Sequence, residues 1–209
     1  MQFVDLGLIA FEEALRQQEE TIYQIVSHRQ PETVYLLEHP HVFTIGRAGK
    51  SENLLTRKDW EGNPIELVQI NRGGDITYHG PGQLVGYPHL DLRARGRNVH
   101  RFLRDLEESL IMTAARFGVR AFRRPGLTGV WTEKGKLASI GVGVRRWISM
   151  HGFALNVKTD LRYFQLINPC GMTDGLMTSL GDLLGQPVDL AKVKDVLQQN
   201  FRKIFGWTN

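Results

Sequence analysis

RGGDITYHGPGQLVGYPHLDL, residues Arg72–Leu92, is the stretch on which the reading of the fold turns. It joins an apolar run ending at Ile70 to another from Leu84 to Leu92, and between them it sets Gly73, Gly74, Gly80 and Gly82 among Arg72, Asp75, Thr77, Tyr78, His79 and Gln83. Glycine loses more conformational freedom on folding than any other residue, so such a loop is costly to order. A glycine-dense segment between two strands marks a sharp turn or a close approach of backbone to something else. A bound substrate is the expectation here.

Upstream, Ile65–Ile70 is predicted to be the strand that feeds this loop, and Thr33–Leu37 and Val42–Ile45 are predicted strands around the turn His39-Pro40-His41. The polar run from Gly46 to Asp59, with Arg47 and Lys50, reads as a mobile loop bordering a site. Gln2–Gly7 reads as a short strand and Leu8–His28 as an amphipathic helix, with Leu8, Phe11, Leu15, Ile22, Ile25 and Val26 near one face. Downstream, Asn98–Phe117 is a second helix with Asn98 as N-cap and Gly118 as its stop. Short strands are expected at Arg120–Phe122 and Gly129–Thr132, then a hairpin turn at 133–135 between Gly129–Thr132 and a long strand Lys136–Val144, followed by another at Trp147–Val157. Asp160–Gln165 reads as one helical turn, and Asp189–Phe205 as a final helix capped by Asp189. Without repeats or linkers, this pattern predicts one α+β domain over residues 1–209.

The 22 glycines in 209 residues exceed the usual share of about 7%, which favours a strand- and loop-rich fold over a helical bundle. No apolar run approaches the roughly 18 residues of a membrane span, and the first residues carry no basic segment ahead of an apolar one. The expectation is a soluble, cytoplasmic protein with no membrane partner, monomeric by default. The net charge of +4 includes a cluster at Arg93, Arg95, Arg97, Arg101 and Arg104, followed by Arg120, Arg123 and Arg124. That cluster is either solvated surface or the footprint of an acidic partner, and an acidic protein and RNA fit it equally. With Cys170 as the single cysteine, a disulfide framework is excluded. The seven histidines are dispersed, so no metal site is expected, and His151 is read as an ordinary satisfied histidine.

Parity along Lys136–Val144 puts Lys136, Ala138, Ile140, Val142 and Val144 on one apolar face and Leu137, Ser139, Gly141 and Gly143 on the other. Lys136 at the head of the apolar face either snorkels into water or points inward as a desolvated amine with a lowered pKa, fit for general-base work. Cys170 lies in the sequence NPCG, where Pro169 keeps Asn168 extended and Gly171 leaves space beside the sulfur. A buried inert thiol and a nucleophile are both consistent with that context. The segments Ser139–Gly141 and Gly152–Ala154 offer backbone amides to an oxyanion or serve as ordinary strand.

Taken together, RGGDITYHGPGQLVGYP, KLASIG, HGFALNV and INPCGM occur in an order and spacing that resembles the lipoyl(octanoyl) transferases, over essentially the whole chain. The resemblance implies the biotin/lipoate protein ligase catalytic-domain fold, a mixed sheet flanked by helices. It implies that Cys170 is the acyl-accepting nucleophile and Lys136 the catalytic lysine. It also implies that Arg72, Gly73, Gly74, Asp75, Ile76, Thr77, Tyr78 and His79, then Ser139, Ile140 and Gly141, then Gly152, Phe153 and Ala154, bind substrate. Lys134, of the same parity as Lys136, lies outside the matched motif.

The activity implied is transfer of an octanoyl group from octanoyl-acyl carrier protein, through a thioester on Cys170, to a lysine of lipoyl domains. The implied acceptors are the E2 subunits of 2-oxoacid dehydrogenases and the glycine cleavage H protein. No cofactor is implied, since a thioester is already activated, and no nucleic acid. One rival is an ATP-dependent lipoate or biotin ligase on the same fold, which needs a phosphate-binding pattern and no cysteine. The other is a non-catalytic basic RNA-binding protein.

Overall fold

The computed structural model describes residues 1–55, 65–168 and 177–206. Among these residues nine strands form two sheets. β1 (Gln2–Leu8), β2 (Thr33–Glu38), β6 (Gln83–His89), β9 (Ile148–Asn156), β8 (Gly135–Arg145) and β7 (Val130–Thr132) lie side by side in that order. β1 and β2 are parallel and the other pairs of this sheet antiparallel. β4 (Glu66–Gln69), β3 (Val42–Ile45) and β5 (Ile76–His79) make the smaller sheet, with β3 parallel to β4 and antiparallel to β5. The expected mixed sheet flanked by helices is what the chain forms.

Helices cover both faces of the large sheet, which is why β2 reads as an unbroken apolar run rather than an alternating one. Val34, Leu36, Leu84, Phe153 and Leu155 pack with Phe102, Leu106 and Leu110 of α2 (Val99–Arg116) and Val193, Leu197 and Phe201 of α4 (Leu190–Ile204). The intervening residues Tyr35, Leu37, Val85 and Ala154 pack instead with Ala14 of α1 (Phe11–Val26). Asn98 and Asp189 cap α2 and α4 as expected, their side chains accepting from the Arg101 and Ala191 amides. A short helix, α3 (Leu180–Leu184), capped by Ser179 and stopped by Gly185 at φ 65°, was not foreseen. Two boundaries also move. Leu8 ends β1 with 61% exposure instead of joining the helix, and residues 76–79 of the glycine-rich loop form β5.

Lys136 also departs from simple strand parity. β7 and β8 lose register between Val130 and Trp131: Val130 pairs with Ala138 but Trp131 with Lys136, so Leu137 is an extra residue in β8. Alternation restarts at such a bulge. Leu137 is fully buried in the same cluster as Val130 and Ala138, and Lys136 stands across from Trp131, not in line with the apolar even face.

Candidate active site

A cavity of about 430 Å³ opens where the small sheet and the loop 72–75 meet β8 and β9. The loop is docked by main chain. Gly73 N–H donates to the Val142 carbonyl at 2.9 Å, and the Gly46, Arg47 and Ala48 amides donate to Asp75, Arg72 and Gly74 carbonyls. Gly74 takes φ 85°, which favours glycine. A Cβ on Gly141 would stand 2.8 Å from the Gly73 carbonyl and 3.0 Å from Arg72 Cδ, so the loop lies on β8 because that side chain is missing. Gly141→Ala is therefore expected to lift the loop and lower any activity of this site by at least about tenfold, a barrier change of about 1.4 kcal/mol, while thermal unfolding shifts little. Full activity in this variant would show that the contact is dispensable.

Arg72 is buried, with Nη2 donating to the Thr44 carbonyl at 2.7 Å and to Thr44 Oγ1 at 3.0 Å. His79 Nε2 faces the same hydroxyl at 3.4 Å, and His79 Nδ1 is 2.7 Å from Gln83 Oε1. Gln83 Nε2 donates to the Tyr78 carbonyl and to Asn156 Oδ1, so Oε1 accepts and the His79 proton sits on Nδ1. Asn156 Nδ2 donates to the Thr178 carbonyl, and the Thr178 amide donates to the Lys136 carbonyl. One chain of hydrogen bonds thus runs from the glycine-rich loop to the backbone of Lys136. Asp75 accepts both bonds from Asn53 Nδ2 and one from the Ile76 amide. Thr44 and Asn53 carry no motif of their own, and only the fold brings them here.

Lys136 is half-buried, its Nζ 5.3 Å from the centre of the Trp131 ring, and the Arg124 guanidinium stacks 4.3 Å from the same ring. Such cation–π contacts help to hold both cations at the ring. Trp131 is buried and its Nε1 has no hydrogen-bond partner.

Lys136, Ser139, Ile140, Gly141, Gly152, Phe153 and Ala154 all line the cavity, as do Arg72, Gly73, Gly74, Asp75, Ile76, Thr77 and His79. Tyr78 does not: its ring stacks on Tyr163 at 4.7 Å and its hydroxyl meets His41 Nδ1 at 2.7 Å, so it joins the small sheet to the 3-10 turn at 161–166. Cys170 lies outside the described residues. Phe11, Arg47, Trp131, Phe164 and Met177 also line the cavity, and their only signal in the sequence is a hydrophobic or basic residue type.

Four histidines lie buried in this region. Burial lowers His39 and His89 to about 4 and His79 to about 3, and His151 falls to about 3 through burial, the Arg72 charge and His89. Contrary to the expectation of a satisfied ring, neither nitrogen of His151 has a hydrogen-bond partner. These groups are neutral in the fold and charge when it opens, so the unfolded chain binds more protons between about pH 6.5 and the lowered values. Their stabilising contribution is complete above pH 6.5 and is lost as the pH falls, by up to about 1.4 kcal/mol per histidine per pH unit. Urea unfolding should show a midpoint that drops steeply from pH 7 to pH 5; a flat midpoint would mean that the rings are solvated.

The arginine cluster is largely neutralised. Arg93 bridges Asp91 and Arg95 bridges Glu32, both at 2.6 Å, Arg104 and Arg123 share Glu107, and Arg97 packs over the Trp147 ring. Among the described residues no helix is long and apolar enough to cross a membrane, and no group of histidine, cysteine and acidic side chains is arranged to hold a metal.

The family model of the lipoyl protein ligase A/B catalytic domain matches residues 10–202. An octanoyltransferase of Syntrophotalea carbinolica is 54% identical over 204 residues, covering 98% of this chain and 94% of that protein. One from Geobacter metallireducens is 56% identical over 194 residues, covering 93% and 88%. Among solved structures, lipoate-protein ligase A bound with ATP superimposes with TM-score 0.79 at 16% identity, covering 98% of this chain and 85% of that one. Biotin protein ligase from Aquifex aeolicus gives 0.57 at 10% identity, covering 99% and 69%. The chain belongs to the lipoyl protein ligase A/B catalytic-domain family, and the relatives that match it over nearly its whole length at more than half identity are octanoyltransferases.

Proposed function

We propose that this protein moves an octanoyl group from acyl carrier protein onto the lysine of lipoyl domains, through a thioester on Cys170. The observation that carries the reading is a largely apolar cavity running along β8 to Lys136, in a chain whose relatives are octanoyltransferases. In the first half-reaction Lys136 takes the Cys170 proton, and the thiolate attacks the carrier thioester. The bond to the carrier sulfur breaks and that sulfur recovers the proton. In the second half-reaction the amine of the acceptor lysine attacks the acyl-enzyme, the thioester C–S bond breaks as the amide forms, and Lys136 takes the proton the amine loses and returns it to the Cys170 sulfur.

The oxyanion needs donors fixed in advance. β9 is flanked by β6 and β8, so the Gly152–Ala154 amides serve the sheet. β7 pairs with β8 only as far as Ala138, and the Val142 carbonyl turns outward to Gly73. Backbone groups two residues apart point the same way in an antiparallel strand, so the Ile140 amide faces that open edge. It is the donor the reading selects within Ser139–Gly141.

Arg47 lines the cavity and Arg124 covers Trp131, and neither has a carboxylate partner among the described residues. They suit the approach of an acidic carrier protein in the cytoplasm better than Arg93 and Arg95. Reversing both charges should weaken carrier binding several-fold, more at low salt than at high salt. An unchanged affinity removes this edge from the interface.

The test of the function is intact mass after mixing with octanoyl carrier protein. One octanoyl group should appear without ATP and pass to an added lipoyl domain. Acylation only from free octanoate plus ATP would replace the reading with that of a ligase.

A further inference from the structure

The Lys136 stem lies against two neighbours on its way to the cavity. One is Trp131, its partner across the strand pair. The other is Gly129: a Cβ there would stand 2.8 Å from Lys136 Cε and 2.8 Å from the Ala138 carbonyl, so the lysine rests on the bare Cα of a glycine. Gly129 takes φ 137°, a conformation that residues with side chains rarely adopt. A residue with that freedom keeps its place only where its backbone is tied. The tie is its amide, which donates to Glu107 Oε1 at 3.1 Å.

Glu107, on α2, is fully buried. Its other oxygen, Oε2, accepts from Arg104 Nη1 at 2.6 Å and from Arg123 Nε at 3.0 Å. Arg123 and Gly129 are the two ends of a loop closed by main-chain bonds between Phe122 and Trp131, at 2.8 and 2.9 Å. The middle of that loop, Gly126, Leu127 and Thr128, lines the cavity. One carboxylate therefore pins both ends of a cavity wall. A buried ion pair contributes little net stability, because desolvation offsets much of the attraction, but removing one partner is disruptive. A fully satisfied buried polar network fixes a single arrangement of the groups it joins.

We infer that Glu107 is a positioning residue for the acyl transfer: through Gly129 it fixes the Lys136 stem, so that the amine is presented to the cavity before the thioester arrives. This rests on the acyl-transfer reading above and extends it from the amine to the scaffold behind it. A lysine stem is flexible, and an unguided amine would meet the thiol in only a fraction of its rotamers. Glu107 does not itself line the cavity. Its loss should slow the chemistry and leave carrier binding alone.

The test is a double-mutant cycle, read by intact mass as the rate of thioester formation from octanoyl carrier protein. Glu107→Gln keeps the side chain's size, but its single accepting oxygen cannot serve both Gly129 and the two arginines. It should slow loading at saturating carrier roughly tenfold, with KM changed less than about twofold. In a Lys136→Ala background, followed over longer times, the same substitution should change the rate less than about twofold, because the group it positions is already gone. An equal loss in both backgrounds would make Glu107 a general structural residue and overturn the inference. Should Glu107→Gln fail to fold, Gly129→Ala, which sets a Cβ against the lysine stem, enters the same cycle with the same expectations. The wild-type protein adds a readout that needs neither variant nor activity. Lys136 Hε protons should show a nuclear Overhauser contact with Gly129 Hα and an upfield shift from the Trp131 ring, and a Lys136 signal at the free-lysine position without that contact overturns the placement. Absence of any octanoyl group on a wild-type protein that shows the contact would defeat the acyl-transfer reading instead.

Discussion

Cys170→Ser is expected to leave no octanoyl group on the protein after incubation with octanoyl carrier protein, while the wild type acquires one. A cysteine of ordinary pKa, about 8.5, is a few per cent thiolate at neutral pH and strongly nucleophilic. A serine hydroxyl is not ionised there and is a far weaker nucleophile than a thiolate. Nearby positive charge enriches the thiolate further. Transfer to the lipoyl domain should fall with the adduct, by a factor on the order of 10³ or more, because both half-reactions pass through the same sulfur. An octanoyl adduct that persists on the serine variant, and maps to another residue, would remove Cys170 from the mechanism.

Lys136→Ala should slow thioester formation by about 10²–10⁴-fold, the usual worth of a positioned general base, whereas Lys134→Ala should change it less than about twofold. The contrast follows from the bulge. Lys134 is exposed in the turn, its amide held by Thr132 Oγ1 at 3.2 Å. Lys136 is half-buried against Trp131 and lines the cavity. If the amine works by deprotonating the thiol, raising the pH above about 8.5 should restore part of the loading rate in Lys136→Ala, since the thiol then ionises unaided. Equal losses in the two variants would mean that the wrong lysine has been chosen, and a loss that pH does not relieve would point to positioning rather than proton transfer.

Much of the scaffold could be read from local pattern. α2 and α4 announce themselves through caps at Asn98 and Asp189 and through apolar residues at helical spacing, signals confined to a few neighbouring residues. The long strands around the turn at 133–135 are equally local. β5 escaped because Ile76–His79 sits among glycines and polar residues, and its pairing with β3 rests on residues more than thirty positions away. α3 is too short to show a period.

The site was legible in a different way. The motif RGGDITYHG marks a loop that needs glycine, and the structure gives the reason at Gly74, whose φ of 85° is left-handed. Tyr78, inside the same motif, stacks on Tyr163 and meets His41, neighbours that only the tertiary structure shows.

By itself the sequence determined the α+β class, the helix caps, the lack of an intrachain disulfide and the glycine-rich loop, because these depend on residue type and short-range spacing, while the choice of Lys136 and Cys170 rested on the resemblance of whole motifs to a family. The tertiary structure alone decided which face Lys136 occupies, that Thr44, Gln83 and Asn156 link it to Arg72, and that His151 is buried without partners. The physical reason is that a one-residue bulge resets side-chain direction, and hydrogen-bond partners are set by distance in space, which strand periodicity does not encode.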